Sequence, residues 1–188
     1  PDVQETPINN FFAFDLKPED FKVPVKNLKA VLRVILPEDG QLITREAHMV
    51  STPQEGHWEA SPEQGLWKLA VVNRYRQAEP AVAFIGGLGI RCGALAASVA
   101  HDSHNIVVAG TNDSDMHAAV ELLKQHQGGL ALACGAQSMV IPLPFGGLMT
   151  DKNGDRIAEE YEAMNEVLKQ WGCTLEAPFM TLSFMALL

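Results

Sequence analysis

Cysteine is scarce in this sequence. Only Cys92, Cys134 and Cys173 occur in 188 residues, widely spaced and with no C-x-x-C pair. A zinc ribbon and a disulfide framework are therefore not expected, and reduced thiols in a cytoplasmic protein are the simpler reading. No H-x-H pair occurs, and no H-x-E is followed by P-C-x-x-C, so two common metal-binding sets of hydrolytic enzymes are missing. Basic residues are also few: 14 Lys and Arg stand against 23 Asp and Glu, for a net charge of −9 without any Lys/Arg cluster. Nucleic acid and anionic membrane are poor partners for such a surface. No apolar run is long enough to span a bilayer, and there is neither an internal repeat nor a low-complexity segment.

What is present is the composition of one sizeable globular domain, 47% hydrophobic and 20% charged. Residues 1–20 are polar and punctuated by Pro1, Pro7 and Pro18, with Phe11, Phe12 and Phe14 set among them. They read as an extended arm or linker from a preceding unit, and 21–188 as the domain proper. Strands are expected at Lys29 to Leu36, Gln41 to Val50, Leu66 to Asn73, Ala81 to Ile85, Ala94 to Ala100, Ile106 to Ala109, Leu130 to Cys134, Ser138 to Leu143 and Phe179 to Leu187. Arg74, Tyr75 and Arg76 fall between two of them and are expected on the surface.

Thr111 to Gln127 reads as a helix. Thr111, Asn112 and Asp113 supply N-cap chemistry, Met116, Val120 and Leu123 share one face, and Gly128–Gly129 stops it. Asp155 to Trp171, stopped by Gly172, reads as a second. The sum is an α+β fold: a mixed or antiparallel sheet of eight or nine strands with two main helices packed on it. The start at Pro1 and the apolar end Phe184-Met185-Ala186-Leu187-Leu188 lead us to expect a piece of a longer polypeptide.

One stretch stands out. Between the apolar runs Ala94 to Ala100 and Ile106 to Ala109 sit five polar residues: His101, Asp102, Ser103, His104 and Asn105. A polar cluster flanked by buried strands is costly unless it is hydrogen-bonded or functional. His101, Asp102 and His104 are candidate catalytic residues, for proton transfer or for holding a metal, and Ser103 and Asn105 candidate substrate contacts. The two imidazoles converge only if the segment is a tight turn, because on a strand they point apart. The competing reading is a polar turn whose Asp, Ser and Asn side chains cap backbone groups. Adjacent His-Asp-Ser is not evidence for a triad, since triad members come from separate segments. Gly86, Gly87, Gly89 and Gly93 match no phosphate-loop pattern and read as close backbone approaches or bulges. Glu46 with His48, and Glu159, Glu160, Glu162 and Glu166, read as surface.

Four blocks carry a family resemblance: Gly93 to Val108 (G-A-L-A-A-S-V-A-H-D-S-H-N-I-V-V), Gly128-Gly129-Leu130, Leu143-Pro144 with Gly147-Leu148-Met149, and Pro178 to Phe184 (P-F-M-T-L-S-F). In this order they resemble the C-terminal domain of bacterial adenine deaminase, of the amidohydrolase superfamily. The resemblance implies hydrolysis of adenine to hypoxanthine and ammonia in purine salvage, with manganese or iron held by a preceding barrel. It transfers no metal ligand onto this chain, for which no cofactor is expected. It implies adenine and that barrel as partners, and a homo-oligomer is expected as well. A non-catalytic assembly or purine-sensing domain is the alternative.

Overall fold

The computed structural model describes residues 8–12, 15–25 and 31–187. Phe14, Pro1, Pro7 and Leu188 lie outside them, as do the first two residues of the strand expected from Lys29. Ten strands and three α-helices follow one another: β1 (Val23–Pro24), β2 (Val31–Pro37), β3 (Thr44–Val50), β4 (His57–Trp58), β5 (Trp67–Val72), β6 (Ala81–Ile85), β7 (Ala94–Ala97), β8 (Ile106–Gly110), α1 (Asp113–Gln125), β9 (Gly129–Cys134), β10 (Gln137–Pro142), α2 (Gly154–Trp171) and α3 (Pro178–Phe184). The α+β class stands.

Eight strands form one sheet in the order β10-β9-β7-β8-β5-β6-β2-β3, and the short β1 and β4 pair separately. Every neighbouring pair is antiparallel except β2 with β6, which makes the sheet mixed. The period-2 alternation of strand side chains divides the core between the two faces. Leu69, Leu95, Val107, Ala109 and Leu132 face α2 and α3, where they meet Met164, Leu168, Trp171, Phe179 and Leu182. Ala70, Ala94, Ala96, Val108, Ala131 and Ala133 face α1 and its Met116, Ala119, Val120 and Leu123. The alanine-rich face lets α1 lie close to the backbone of β7, β8 and β9. A third cluster, Leu32, Val34, Trp58, Leu66 and Phe84, closes the sheet's β2–β3 end. The helices thus cover both faces.

The N-cap expected for α1 is in place, and α2 carries one as well. Asn112 accepts from the Asp115 N–H, and Asn153 from the Asp155 N–H. Gly172 ends α2 in the left-handed region, at φ 101. No helix among the described residues is long and apolar enough to cross a membrane.

The strand expected at Phe179 to Leu187 is instead the helix α3. Its buried residues, Pro178, Phe179, Thr181, Leu182 and Ser183, follow a helical spacing, and Met180 between them is 52% exposed. The aromatic and β-branched content imitates a strand. Two features favour the helix: Pro178 in its first turn, and an anchor from elsewhere on the two residues that lead into it. Asp39, in the β2–β3 turn, accepts from the N–H groups of Glu176 (2.5 Å) and Ala177 (3.1 Å) and from Thr181 Oγ1 (3.1 Å).

Candidate functional site

The hairpin connection from β7 to β8 is the polar stretch His101 to Asn105, and it sits at one end of the sheet. It is a turn, with Asp102 and Ser103 exposed and His101, His104 and Asn105 half-buried. The tight-turn condition for the imidazoles is met: the His101 and His104 rings lie 6.4 Å apart, tilted by 55°. His101 stacks on Phe184 of α3 at 5.2 Å, and its N–H donates to Ser183 O at 3.1 Å. His104 occupies the left-handed region, at φ 51, and its N–H donates to Ala100 O at 2.7 Å. Its Nδ1 is buried with no hydrogen-bond partner among the described residues.

The other three residues divide their work. Ser103 Oγ accepts from Asn105 Nδ2 (3.2 Å) and from the Asn105 N–H (3.4 Å). Asn105 Oδ1 in turn accepts from the Arg74 N–H at 3.4 Å. These side chains cap the turn. The Asp102 carboxylate has no ion-pair partner among the described residues. His101, His104 and Asp102 are therefore the members of the five whose side-chain polar atoms are left for something else.

Arg74 corrects the surface expectation: it is 3% exposed, whereas Tyr75 beside it is 38% exposed. The guanidinium donates from Nη2 to Gly146 O (2.7 Å) and to Tyr75 Oη (3.1 Å), and from Nη1 to Asn9 Oδ1 (3.4 Å). It lies over the rings of Phe11 and Tyr75, 5.4 and 4.8 Å from their centroids. Its room comes from Gly147, at φ 76, where a Cβ would collide with Nη1. Ser98, at the end of β7, secures this glycine loop by donating to Gly147 O (2.6 Å) while accepting from the Gly129 N–H (2.8 Å). Little in the local sequence announces Arg74, because two of its acceptors lie 65 and 72 residues away.

Lys68 also escaped the sequence reading. It is fully buried on β5 and donates to Glu59 Oε2 and Asp113 Oδ1, each at 2.7 Å. Burial pushes the Asp113 carboxyl up from its ordinary value, against the pull of the Lys68 ammonium. A lone lysine in the apolar run W-K-L-A-V-V is the signal that could have flagged it. This group is closed on itself at the opposite end of the sheet.

The remaining candidates fall where their chemistry is ordinary. Glu46 and His48 lie on the edge strand β3, 3.0 Å apart, and Glu46 also pairs with Arg33 at 2.8 Å, all exposed. Gly89 packs its backbone against Gly172 O. Among the described residues no three His, Cys, Asp or Glu side chains gather as a metal site would require.

Fold and site together define a helix-covered α+β domain that presents a two-histidine turn and carries no metal-binding cluster among its described residues. The chain belongs to the adenine deaminase C-terminal domain family, whose model matches residues 41–188. It is 42% identical over 183 residues to an adenine deaminase of Salinibacter ruber, which covers 96% of this chain and 33% of that protein. Adenine deaminases of Parabacteroides distasonis (37% identity, 96% and 33% covered) and Syntrophobacter fumaroxidans (41%, 90% and 29%) match in the same way. The chain spans about a third of the length of these curated relatives.

Proposed function

We propose that this domain supports the hydrolytic deamination of adenine to hypoxanthine and ammonia, and that the metal centre of the reaction lies on the polypeptide making up the other two thirds of its relatives. In this reading the His101–Asn105 turn faces that polypeptide. His101, Asp102 and His104 supply proton-transferring or purine-edge contacts, and Ser103 and Asn105 hold the turn in shape. The observation that carries the reading is the state of the turn: the His101 ring is stacked on Phe184, backbone hydrogen bonds hold the main chain at both histidines, and His104 Nδ1 is left without a partner among the described residues. A turn with only a scaffolding duty has no reason to leave a buried ring nitrogen unsatisfied. Adenine and a preceding amidohydrolase barrel are the partners this reading requires.

The test uses the chain alone and the chain joined to the rest of the relatives' length. The chain alone, supplied with manganese or iron, releases no ammonia from adenine. In the joined polypeptide, His101→Ala and His104→Asn lower kcat/KM by about 100-fold or more, the usual worth of a lost acid–base contact. Turnover by the chain alone overturns the division of labour. Unchanged kcat/KM in both variants overturns the role of the turn.

A further inference from the structure

We infer that Arg74 and Tyr75 are positioning residues that fix the pose of the imidazole turn and lock it to the segment 8–12. The inference rests on the role given above to the turn, and adds the residues that set its geometry. Two separate connections run from the turn to this pair. The Asn105 side chain accepts from the Arg74 backbone N–H, and Tyr75 Oη donates to Ser103 O at 2.8 Å. Tyr75 Oη in turn accepts from Arg74 Nη2, so one phenol joins the guanidinium to the turn. Two further connections run from Arg74 to the incoming segment: its carbonyl accepts from the Phe12 N–H at 2.7 Å, and its guanidinium meets Asn9 Oδ1 and the Phe11 ring.

Energetics favour a geometric duty. A buried cation is costly without a carboxylate, and none pairs with Arg74 among the described residues. Its charge is offset by carbonyl oxygens and two aromatic faces instead. An apolar side chain of similar volume would fill the space at lower cost, but would lose the planar fork that reaches Gly146, Tyr75 and Asn9 at once. A lysine has no such fork and cannot reproduce these contacts.

Tyr75→Phe in this chain is the direct test. It removes the bond to Ser103, keeps the ring under the guanidinium, and sits at a partly exposed position that tolerates the change. The His104 N–H should exchange with solvent about ten-fold faster, and the His101 and His104 ring signals in the NMR spectrum should shift. Amides of β9 and β10 should exchange as before. Arg74→Lys, which keeps the charge and loses the fork, should loosen the turn further. Wild-type exchange and unshifted imidazole signals in Tyr75→Phe overturn the inference. In the joined polypeptide, Tyr75→Phe should lower kcat/KM about ten-fold, and the double variant with His104→Asn should be no worse than His104→Asn alone. If the turn loosens while kcat/KM holds, the clasp stands and the role assigned to the turn falls, so the two readings fail separately.

Discussion

The two ends of the eight-stranded sheet handle their polar groups in opposite ways. At the end holding the starts of β5 and β7, Lys68 is fully buried but meets two carboxylates, and Asp39 spends its oxygens on the N-terminus of α3. That end is electrostatically closed. At the other end Arg74 is equally hidden but has no carboxylate among the described residues, His104 keeps an unpartnered ring nitrogen, and the Asp102 carboxylate is exposed. The same sheet builds both. The difference teaches that burial alone does not tell a scaffold from a candidate site; whether the hydrogen-bonding capacity is used up within the domain is the better guide.

The largest effect should come from opening the closed end. Lys68→Met leaves Glu59 and Asp113 without their cation and should cost about 3–5 kcal/mol, read as a lower midpoint in urea unfolding. A cost under about 1 kcal/mol would mean that the triad contributes no stability. Asp39→Ala removes three hydrogen bonds from the start of α3 and should cost about 1–2 kcal/mol, with His101 ring signals shifting at the far end of the helix.

A smaller effect comes from Cys134 at the end of β9. Burial first, and then the neighbouring Cys92 thiol, push its pKa up to about 12 from 9.0. The folded state keeps this proton where the unfolded chain releases it. The stability it contributes is therefore complete below pH 9 and is lost as pH rises toward about 12. Thermal unfolding across that window should show the decline, and Cys134→Ala should flatten it. The smallest effect belongs to the open end: His104→Asn should change stability by no more than about 0.5 kcal/mol, because asparagine tolerates the left-handed backbone at this position. A loss above about 2 kcal/mol in the same urea assay would erase the distinction between the ends.

Elements specified by neighbouring residues were legible in the sequence. Asn112 announces the start of α1, Gly172 announces the end of α2, and the strands expected at Leu130 to Cys134 and Ser138 to Leu143 are β9 and β10. The polar block at 101–105 was legible as a place where apolar strands tolerate something costly. What escaped depends on contacts far along the chain. The anchor of the segment leading into α3 comes from a residue 138 positions away, Arg74 finds two of its acceptors across 65 and 72 positions, and Lys68 reaches Asp113 across 45. No window of periodicity carries such information, so α3 looked like a strand and Arg74 like surface.

Helix α3 joins the two ends. At about 1.5 Å per residue its seven residues make a strut roughly 10 Å long. Asp39 grips one tip; at the other, Phe184 lies flat against the His101 ring and Ser183 receives its N–H. A displacement of the β2–β3 turn thereby has a short, direct route to the His101 imidazole, which makes an exposed hairpin a mechanical handle on the turn at the other tip of the helix.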